Sequence, residues 1–168
     1  MAQNGIGNLE SSVYKEKKYD ILLTQMRALL EGEHHTVSIL SNASALLMSE
    51  LGDINWVGFY LMNDGGLILG PFQGKPACMH IAVGQGVCGT AVSRNEIQVV
   101  ADVHKFPGHI ACDSASNSEI VIPLRDKGRV VGVLDIDSPS FARFDAVDAL
   151  WLERIARIIE EACNWDSQ

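Results

Sequence analysis

The sequence predicts an α+β domain in which helices cover an antiparallel sheet of about six strands. Two segments with apolar residues at helical spacing come first, several short β-branched and aromatic segments follow, and a long amphipathic segment closes the chain. A chain of 168 residues that is 47% apolar and 20% charged can form one such domain with a full core. We expect residues 1–16 to form a mobile polar arm and residues 17–168 to form the domain.

The two predicted N-terminal helices are joined by a short turn. The segment KYDILLTQMRALLEG has helical apolar spacing and ends at Gly32, a residue type that favours a helix C-terminus. The segment HHTVSILSNASALLMSELG repeats this pattern and ends at Gly52. We expect the inner faces of these helices to consist of Ile21, Leu22, Met26, Leu29, Leu30, Val37, Leu40, Ala43, Leu47 and Leu51.

The apolar period changes to that of strands after the second helix. INWVGFYLM and LILGPF are separated by NDGG, which is a strong hairpin signal. MHIAV and IQVV are further short strands, and GQGVCGTAVSRN between them predicts a glycine turn that leads into a short helix. Residues 101–117 form a long loop, and long ordered loops in compact domains are more often functional than idle. EIVIPL and RVVGVLDID are strands joined by RDKG.

The closing segment FDAVDALWLERIARIIEEACNW predicts a long amphipathic helix. Asp145 lies just before its apolar pattern and is the expected N-cap. We expect its inner face to consist of Val147, Leu150, Trp151, Ile155, Ile158, Ile159 and Ala162.

Charge and hydropathy exclude several classes of protein. A formal net charge of -8 without a basic patch argues against binding nucleic acid through phosphates. No apolar run approaches the roughly 20 residues that a membrane-spanning helix needs, and the first residues lack the apolar core of a secretory signal. We therefore expect a cytoplasmic protein. Its four cysteines are then buried, metal-bound or reactive rather than paired in structural disulfides.

Three of the cysteines lie at irregular positions where a reactive thiol is as plausible as a buried one. Cys78 and Cys112 lie in predicted loops, and Cys88 lies at a predicted helix N-terminus, where the helix dipole would lower its pKa. Cys163 lies on the closing helix beside an inner-face residue, which indicates a structural role. No Cys-x-x-Cys or His-x₃-His spacing is present, so we do not expect a metal site.

A group of carboxylates is predicted on the strands that follow the long loop. Asp135 and Asp137 are two residues apart, so both point to one face of a strand. If DKG is a three-residue loop, Arg125 pairs with Arg129, and Glu119 then lies opposite Asp135. Like charges directly opposite are destabilising. Such a cluster requires a cation, such as a ligand ammonium, or one acid that keeps its proton.

Two aromatic residues complete the candidate site. Trp56 and Tyr60 are four residues apart on the strand INWVGFYLM, so they share one face of the sheet. Most such pairs belong to a core, but acids on a nearby strand would make this pair the wall of an apolar pocket.

Five motifs together resemble one enzyme family. The motifs NWVGFYL, LGPFQGKPAC, GVCGTA, DVHKFPGHIACDSASNSEIVIPL and GVLDIDSP closely resemble the free methionine-R-sulfoxide reductases, over roughly Tyr19 to the end of the closing helix. Members of this family are single-domain GAF enzymes with a six-stranded antiparallel sheet, and they usually form homodimers. The resemblance implies a GAF-like fold and reduction of the R epimer of free methionine sulfoxide, but not of the protein-bound residue.

The resemblance also implies roles for the three irregular thiols. By motif, Cys112 would attack the sulfoxide and Cys78 would resolve it through a disulfide. Cys88 would be a second resolving thiol or, on another assignment, the attacking one. No bound cofactor is implied, because an external dithiol, thioredoxin in the family, restores the enzyme.

The remaining site residues are assigned in the same way. Glu119, Asp135 and Asp137 would bind substrate and manage protons, and Trp56 and Tyr60 would hold the methyl end of the substrate. Two alternatives differ in class. One is a non-catalytic GAF domain that binds a small ligand or senses redox state through its thiols. The other is a zinc-binding structural domain.

Overall fold

The computed structural model describes residues 3–108 and 114–167, and it describes side-chain surroundings for residues 13–108 and 114–166. The α-helices of this part are α1 (Gln3–Leu30), α2 (Thr36–Glu50), α3 (Gly86–Arg94) and α4 (Ala146–Ala162). The strands are β1 (Trp56–Asn63), β2 (Gly66–Gln73), β3 (His80–Ala82), β4 (Gln98–Val100), β5 (Ser118–Asp126) and β6 (Arg129–Ser138).

All six strands belong to one sheet with the order β3-β2-β1-β6-β5-β4. Every neighbouring pair is antiparallel. The predicted α+β class, with about six antiparallel strands, two N-terminal helices and a long closing helix, is confirmed. The NDGG hairpin is also present, since Asn63 pairs with Gly66 across the turn residues Asp64 and Gly65.

The sheet separates two apolar clusters. One cluster lies between the sheet and helices α1, α2 and α4, and its fully buried members include Met26, Ile39, Leu47, Phe59, Ile122, Leu134 and Ile155. The other lies between the opposite face and α3, and its members include Trp56, Tyr60, Leu67, Ile81, Val87, Cys88, Val121 and Val133. Strands β1, β5 and β6 contribute alternate side chains to the two clusters, as the period of two requires.

The helices bury a narrower stripe than their apolar spacing predicts. Ile21, Leu29 and Val37 are exposed, with 59%, 42% and 69% of their surface accessible, although each was expected on an inner face. The prediction for Leu150 is also wrong, because it is 48% exposed. Asp148 is buried in its place. The carboxylate of Asp148 is tolerated on this inner face because Tyr19 and Arg143 donate hydrogen bonds to it.

Ion pairs join the N-terminal helix α1 to the closing helix α4. Helix α1 begins at Gln3 and so includes most of the segment predicted as an arm, whose mobility stays a prediction. Lys15 of this helix forms ion pairs with Asp145 and Asp148. Asp145 is the predicted N-cap of α4, and it forms a capping box with Asp148. Although α1 has 28 residues, no helix in the described part of the chain is both long and apolar enough to cross a membrane.

The β5–β6 hairpin has a different register from the predicted one. Lys127 and Gly128 form a two-residue turn with positive φ angles of 49° and 81°, instead of a three-residue loop. The register then shifts again at a bulge beside Leu124. Glu119 therefore lies opposite Asp137, and not opposite Asp135 as predicted.

The sum of these two changes is a slip of two residues. Because side chains alternate with a period of two, an even slip leaves every side chain on its predicted face. Glu119 and Asp135 therefore still share one face of the sheet, as diagonal instead of direct neighbours.

Candidate active site

A pocket opens on the sheet face that α3 covers, between the sheet, the start of α3 and the segment that follows β2. The empty space between its walls, including the open mouth, is about 540 Å³. Its described lining residues are Trp56, Tyr60, Pro76, Ala77, Ile81, Gln85, Gly86, Val87, Cys88, Ser116, Glu119, Asp135 and Asp137.

One wall of the pocket is aromatic and fixed in place. The rings of Trp56 and Tyr60 stack at 6.0 Å between centroids, and the rings of Trp56 and Phe72 stack at 5.3 Å. Trp56 Nε1 donates a hydrogen bond of 3.1 Å to the Lys75 carbonyl, and the Tyr60 hydroxyl donates one of 3.0 Å to the Cys78 carbonyl. These bonds tie the wall to the segment that carries Cys78.

Gly58 lies between the two aromatic residues on the same face, and the sequence interpretation missed it. A Cβ atom at Gly58 would lie 2.3 Å from the Phe72 Cβ and 2.7 Å from the Trp56 ring. The Trp56 ring can therefore lie flat over the strand only because residue 58 has no side chain. A glycine between two aromatic residues at every second position of a strand was the available signal.

The floor of the pocket holds two buried carboxyl groups. Glu119 and Asp135 are each 6% exposed, and Asp137 beside them is half-buried. Burial, followed by the charges of Asp135 and Asp137, raises the pKa of Glu119 well above its usual range. Burial also raises the pKa of Asp135 to about 6, although hydrogen bonds from Cys88 and Glu119 oppose this. Both carboxyl pKa values are raised, and that of Glu119 is raised more, so the proton that this pair retains lies mainly on Glu119.

Cys88 faces these carboxyl groups from the first turn of α3. Its Sγ lies 4.0 Å from Glu119 Oε1, and the residue is 4% exposed. Helix α3 can lie this close to strand β3 because Gly89 has no side chain. A Cβ at this position would lie only 2.3 Å from the Ala82 carbonyl oxygen. Burial and the neighbouring carboxylates raise the pKa of Cys88, so the predicted lowering by the helix dipole is wrong. Desolvation among acids outweighs the partial charge of a helix end.

The cysteines differ in oxidation state. Cys78 is disulfide-bonded, whereas Cys88 and Cys163 are free. Cys163 caps the end of α4 and is buried against the helical cluster, which confirms its position in the core. Cys112 lies outside the described residues. The described chain resumes two residues after it at Ser114.

Sequence comparisons identify the family of this chain. A model of the GAF domain matches residues 34–163. The chain is 54% identical over 147 residues to the free methionine-R-sulfoxide reductase of Escherichia coli, across 88% of this chain and 89% of that protein. It is 46% identical over 164 residues to the Saccharomyces cerevisiae protein of the same name, across 93% and 91%. The chain belongs to the GAF-domain family of free methionine-R-sulfoxide reductases.

Solved structures of this reductase family have the same fold. The fRMsr of Staphylococcus aureus, in complex with substrate, superposes with a TM-score of 0.83 at 58% identity, covering 86% of this chain and 94% of that one. The free methionine-R-sulfoxide reductase of Neisseria meningitidis, also with its substrate, gives a TM-score of 0.84 at 45% identity, covering 86% and 87%.

The reductase fold brings most of the predicted site residues into one pocket. The residues that line it directly are Trp56, Tyr60, Cys88, Glu119, Asp135 and Asp137. Cys78 follows the lining residue Ala77 and meets the pocket wall through its carbonyl group. Ser116 was not predicted, although it is 4% exposed, lines the pocket and accepts a 3.1 Å hydrogen bond from Asn55 Nδ2. No local pattern distinguishes this serine from its neighbours.

Proposed function

We propose that this chain reduces free L-methionine-(R)-sulfoxide to methionine. The observation that carries the proposal is the pair of buried carboxyl groups, Glu119 and Asp135, on the floor of a pocket with an aromatic wall. The names of its relatives in Escherichia coli and Saccharomyces cerevisiae support the same activity.

We propose that the acids select the free amino acid. The ionised Asp135 and its neighbour Asp137 would bind the ammonium group of the substrate. Backbone N–H groups of the predicted long loop would bind its carboxylate. Trp56 and Tyr60 contact the methyl end. Methionine within a peptide has neither a free ammonium nor a free carboxylate, so it lacks the groups that this pocket would recognise.

Glu119 is the proposed proton donor. The sulfoxide oxygen is a poor leaving group until it is protonated, and a carboxylic acid that stays protonated near neutral pH can supply that proton. The raised pKa of Glu119, caused by burial and by the charges of Asp135 and Asp137, supports this role.

Cys112 is the proposed attacking thiol. Its thiolate forms a bond to the substrate sulfur while Glu119 protonates the sulfoxide oxygen. The resulting hydroxyl group then moves from the substrate sulfur to the sulfur of Cys112 and the new S–S bond breaks, so that methionine leaves and Cys112 is left as a sulfenic acid. The sulfenic acid on Cys112 then condenses with the thiol of Cys78, which gives a disulfide and one water molecule. The disulfide state of Cys78 supports its place in this cycle, and the buried, protonated Cys88 is better suited to a reserve role.

Several wider features are part of the same proposal. Thioredoxin or another dithiol reduces the disulfide and completes the cycle without a bound cofactor. The chain works as one domain, residues 17–168, in a homodimer in the cytoplasm. Light scattering of the purified protein tests the dimer against a mass of 18.3 kDa for one chain.

The activity is tested with the two epimers of free methionine sulfoxide. We expect the purified protein, with dithiothreitol or thioredoxin, to convert the R epimer to methionine and to leave the S epimer unchanged. Cys112→Ser should abolish turnover, whereas the matched control Cys163→Ser should retain it, because Cys163 lies on the other side of the sheet. A folded wild-type protein without turnover would contradict the proposal and favour a ligand-binding GAF domain.

The roles of the acid and the resolving thiol have separate tests. Glu119→Gln should lower kcat about 10²- to 10⁴-fold, the usual contribution of a general acid. Mass spectrometry after a single addition of substrate should show Cys112 linked to Cys78. A linkage of Cys112 to Cys88 instead would reverse the assignment of the resolving thiol.

A further inference from the structure

Three side chains on the pocket floor form a compact set of metal-ligand donors. Cys88, Glu119 and Asp135 each offer one ligand atom, and these atoms lie within 4.8 Å of one another. We propose that this Cys88–Glu119–Asp135 cluster binds a thiophilic divalent cation, with Zn²⁺ as the preferred ion, and that the ion competes with substrate. The competition rests on the proposed function, whereas the binding does not.

The spacing of the cluster is close to that of a zinc site. Tetrahedral zinc with Zn–S near 2.3 Å and Zn–O near 2.0 Å sets sulfur and oxygen ligands about 3.5 Å apart. The Sγ of Cys88 lies 4.0 Å from Glu119 Oε1, so small side-chain rotations suffice. Three protein ligands leave the fourth position of zinc open, as in sites that exchange a water molecule for another ligand.

A buried oxygen atom without a partner supports a cation at this position. One oxygen of Asp135, Oδ1, is buried and has no hydrogen-bond partner among the described residues, although Cys88 and Glu119 interact with the same carboxyl group. Buried polar atoms are rarely left unpaired, and a bound ion is one recognised partner for such an atom. The described residues that line the pocket include no Lys, Arg or His, so none of them supplies a positive charge to this carboxylate.

Zinc would stop the reaction by occupying two carboxyl groups that the proposed function needs, the proton donor Glu119 and the ammonium-binding Asp135. Glu119 bound to zinc cannot donate its proton, and Asp135 bound to zinc cannot hold the substrate ammonium. Binding also displaces the protons of Glu119 and Cys88, because the metal ligands are the carboxylate and the thiolate. Zn²⁺ would therefore raise the apparent KM for methionine sulfoxide, and a chelator would reverse the effect.

The binding is tested on the oxidised chain, in which Cys78 is in a disulfide and the free thiols of the described residues are Cys88 and Cys163. Zn²⁺ is titrated in competition with a chromogenic chelator, and Cd²⁺ is added separately to record thiolate-to-metal charge-transfer absorption. We expect one ion per chain. Cys88→Ser should remove the absorption and Asp135→Asn should weaken binding at least about tenfold, while the control Cys163→Ser behaves as wild type.

The outcomes separate this proposal from the proposed function. Zn²⁺ affinity that is absent in wild type, or unchanged in Cys88→Ser, overturns the metal site even if the protein reduces methionine sulfoxide. One bound ion without turnover supports the metal site and overturns the reductase activity alone. Circular dichroism checks folding, and if Cys88→Ser is unfolded, Asp135→Asn and Glu119→Gln decide the result by their loss of binding.

Discussion

At the scale of single residues, the site is governed by the desolvation of acids. Glu119 and Asp135 lie on adjacent strands, and the sheet register gives neither of them a cationic neighbour in the strands. Burial of two carboxyl groups so close together disfavours two negative charges, so one group keeps a proton. The same environment keeps the nearby Cys88 protonated.

The raised pKa of Asp135 predicts a pH-dependent cost to stability. A carboxyl whose pKa rises from 3.8 to about 6 on folding stabilises the protein fully below pH 3.8, and this contribution is lost as pH rises through 6. Asp135→Asn removes the titration. Relative to wild type, the variant should therefore gain stability between pH 4 and pH 7, by about 1.4 kcal/mol for each pKa unit.

Urea denaturation of both proteins at pH 4 and pH 7 measures this difference. Asp64→Asn is the matched control, because Asp64 is an exposed turn residue with a φ of 47° that asparagine also adopts readily. A stability difference between Asp135→Asn and wild type that does not change with pH would contradict the raised pKa.

Gly58 gives a second residue-scale prediction, about the shape of the pocket. Gly58→Ala places a Cβ 2.7 Å from the Trp56 ring and 2.3 Å from the Phe72 Cβ, so the ring must move. We expect a loss of about 1–3 kcal/mol in unfolding free energy, which is typical of overpacking, and a higher KM for the sulfoxide. Urea denaturation and steady-state kinetics measure the two effects.

Gly52→Ala is the matched control for Gly58. A Cβ at Gly52 would have no atom within 4 Å. This variant should stay within about 0.5 kcal/mol of wild type, as surface substitutions usually do. Equal effects of the two variants would show that the Trp56 ring does not depend on the space at Gly58.

At the scale of elements, a buried acid joins the first and last helices. Asp148 of α4 is fully buried, and it accepts a 2.7 Å hydrogen bond from the Tyr19 hydroxyl of α1 and a 3.2 Å bond from Arg143 Nη1. Lys15 of α1 also forms an ion pair with it. A buried carboxylate is tolerated here because charged and hydroxyl donors surround it.

Tyr19→Phe should weaken this junction without affecting the pocket. The variant removes one hydrogen bond to a buried charged group, which is worth about 1.5–3 kcal/mol in unfolding free energy. Tyr14→Phe is the control, because Tyr14 on the same helix is 62% exposed and should change stability little. Urea denaturation compares the unfolding free energies of the two variants. The kcat of both variants should equal that of wild type. Equal stability of the two variants would contradict a stabilising role for the Tyr19–Asp148 bond.

At the scale of the whole molecule, the sheet isolates the pocket from the helical core. Leu47 is fully buried in the cluster that α1, α2 and α4 cover, whereas Leu67 is buried in the cluster of Trp56 and Tyr60. The two leucines have the same size and nearly the same burial. They therefore allow stability and binding to be separated.

Leu47→Ala and Leu67→Ala should be similarly destabilising but functionally different. The unfolding free energy of each variant should fall by about 2–5 kcal/mol, the usual cost of the cavity that a leucine-to-alanine substitution leaves. We expect KM for the sulfoxide to rise only in Leu67→Ala, because Leu67 belongs to the same apolar cluster as Trp56 and Tyr60. Denaturation and kinetics at a temperature where both variants are folded measure this, and a matching rise in KM for Leu47→Ala would contradict the separation.

The sequence by itself determined the elements and the faces of the strands that carry the site, although it placed Ile21, Leu29, Val37 and Leu150 on inner helix faces where they are exposed. Helical and strand periods are local, so the helices, the strands and the antiparallel sheet followed from the order of apolar residues. The placement of Glu119, Asp135, Trp56 and Tyr60 on one face also followed, since it depends only on the parity of positions along each strand.

Only the tertiary structure decided the register and the electrostatics. The bulge beside Leu124 sets Glu119 opposite Asp137, and neither the bulge nor the two-residue turn had a distinct local pattern. The high pKa of Cys88 comes from burial against acids far away in the sequence, which outweighs the local effect of the helix end. Desolvation and non-local charges depend on the packed fold, so they cannot be derived from the neighbours of a residue along the chain.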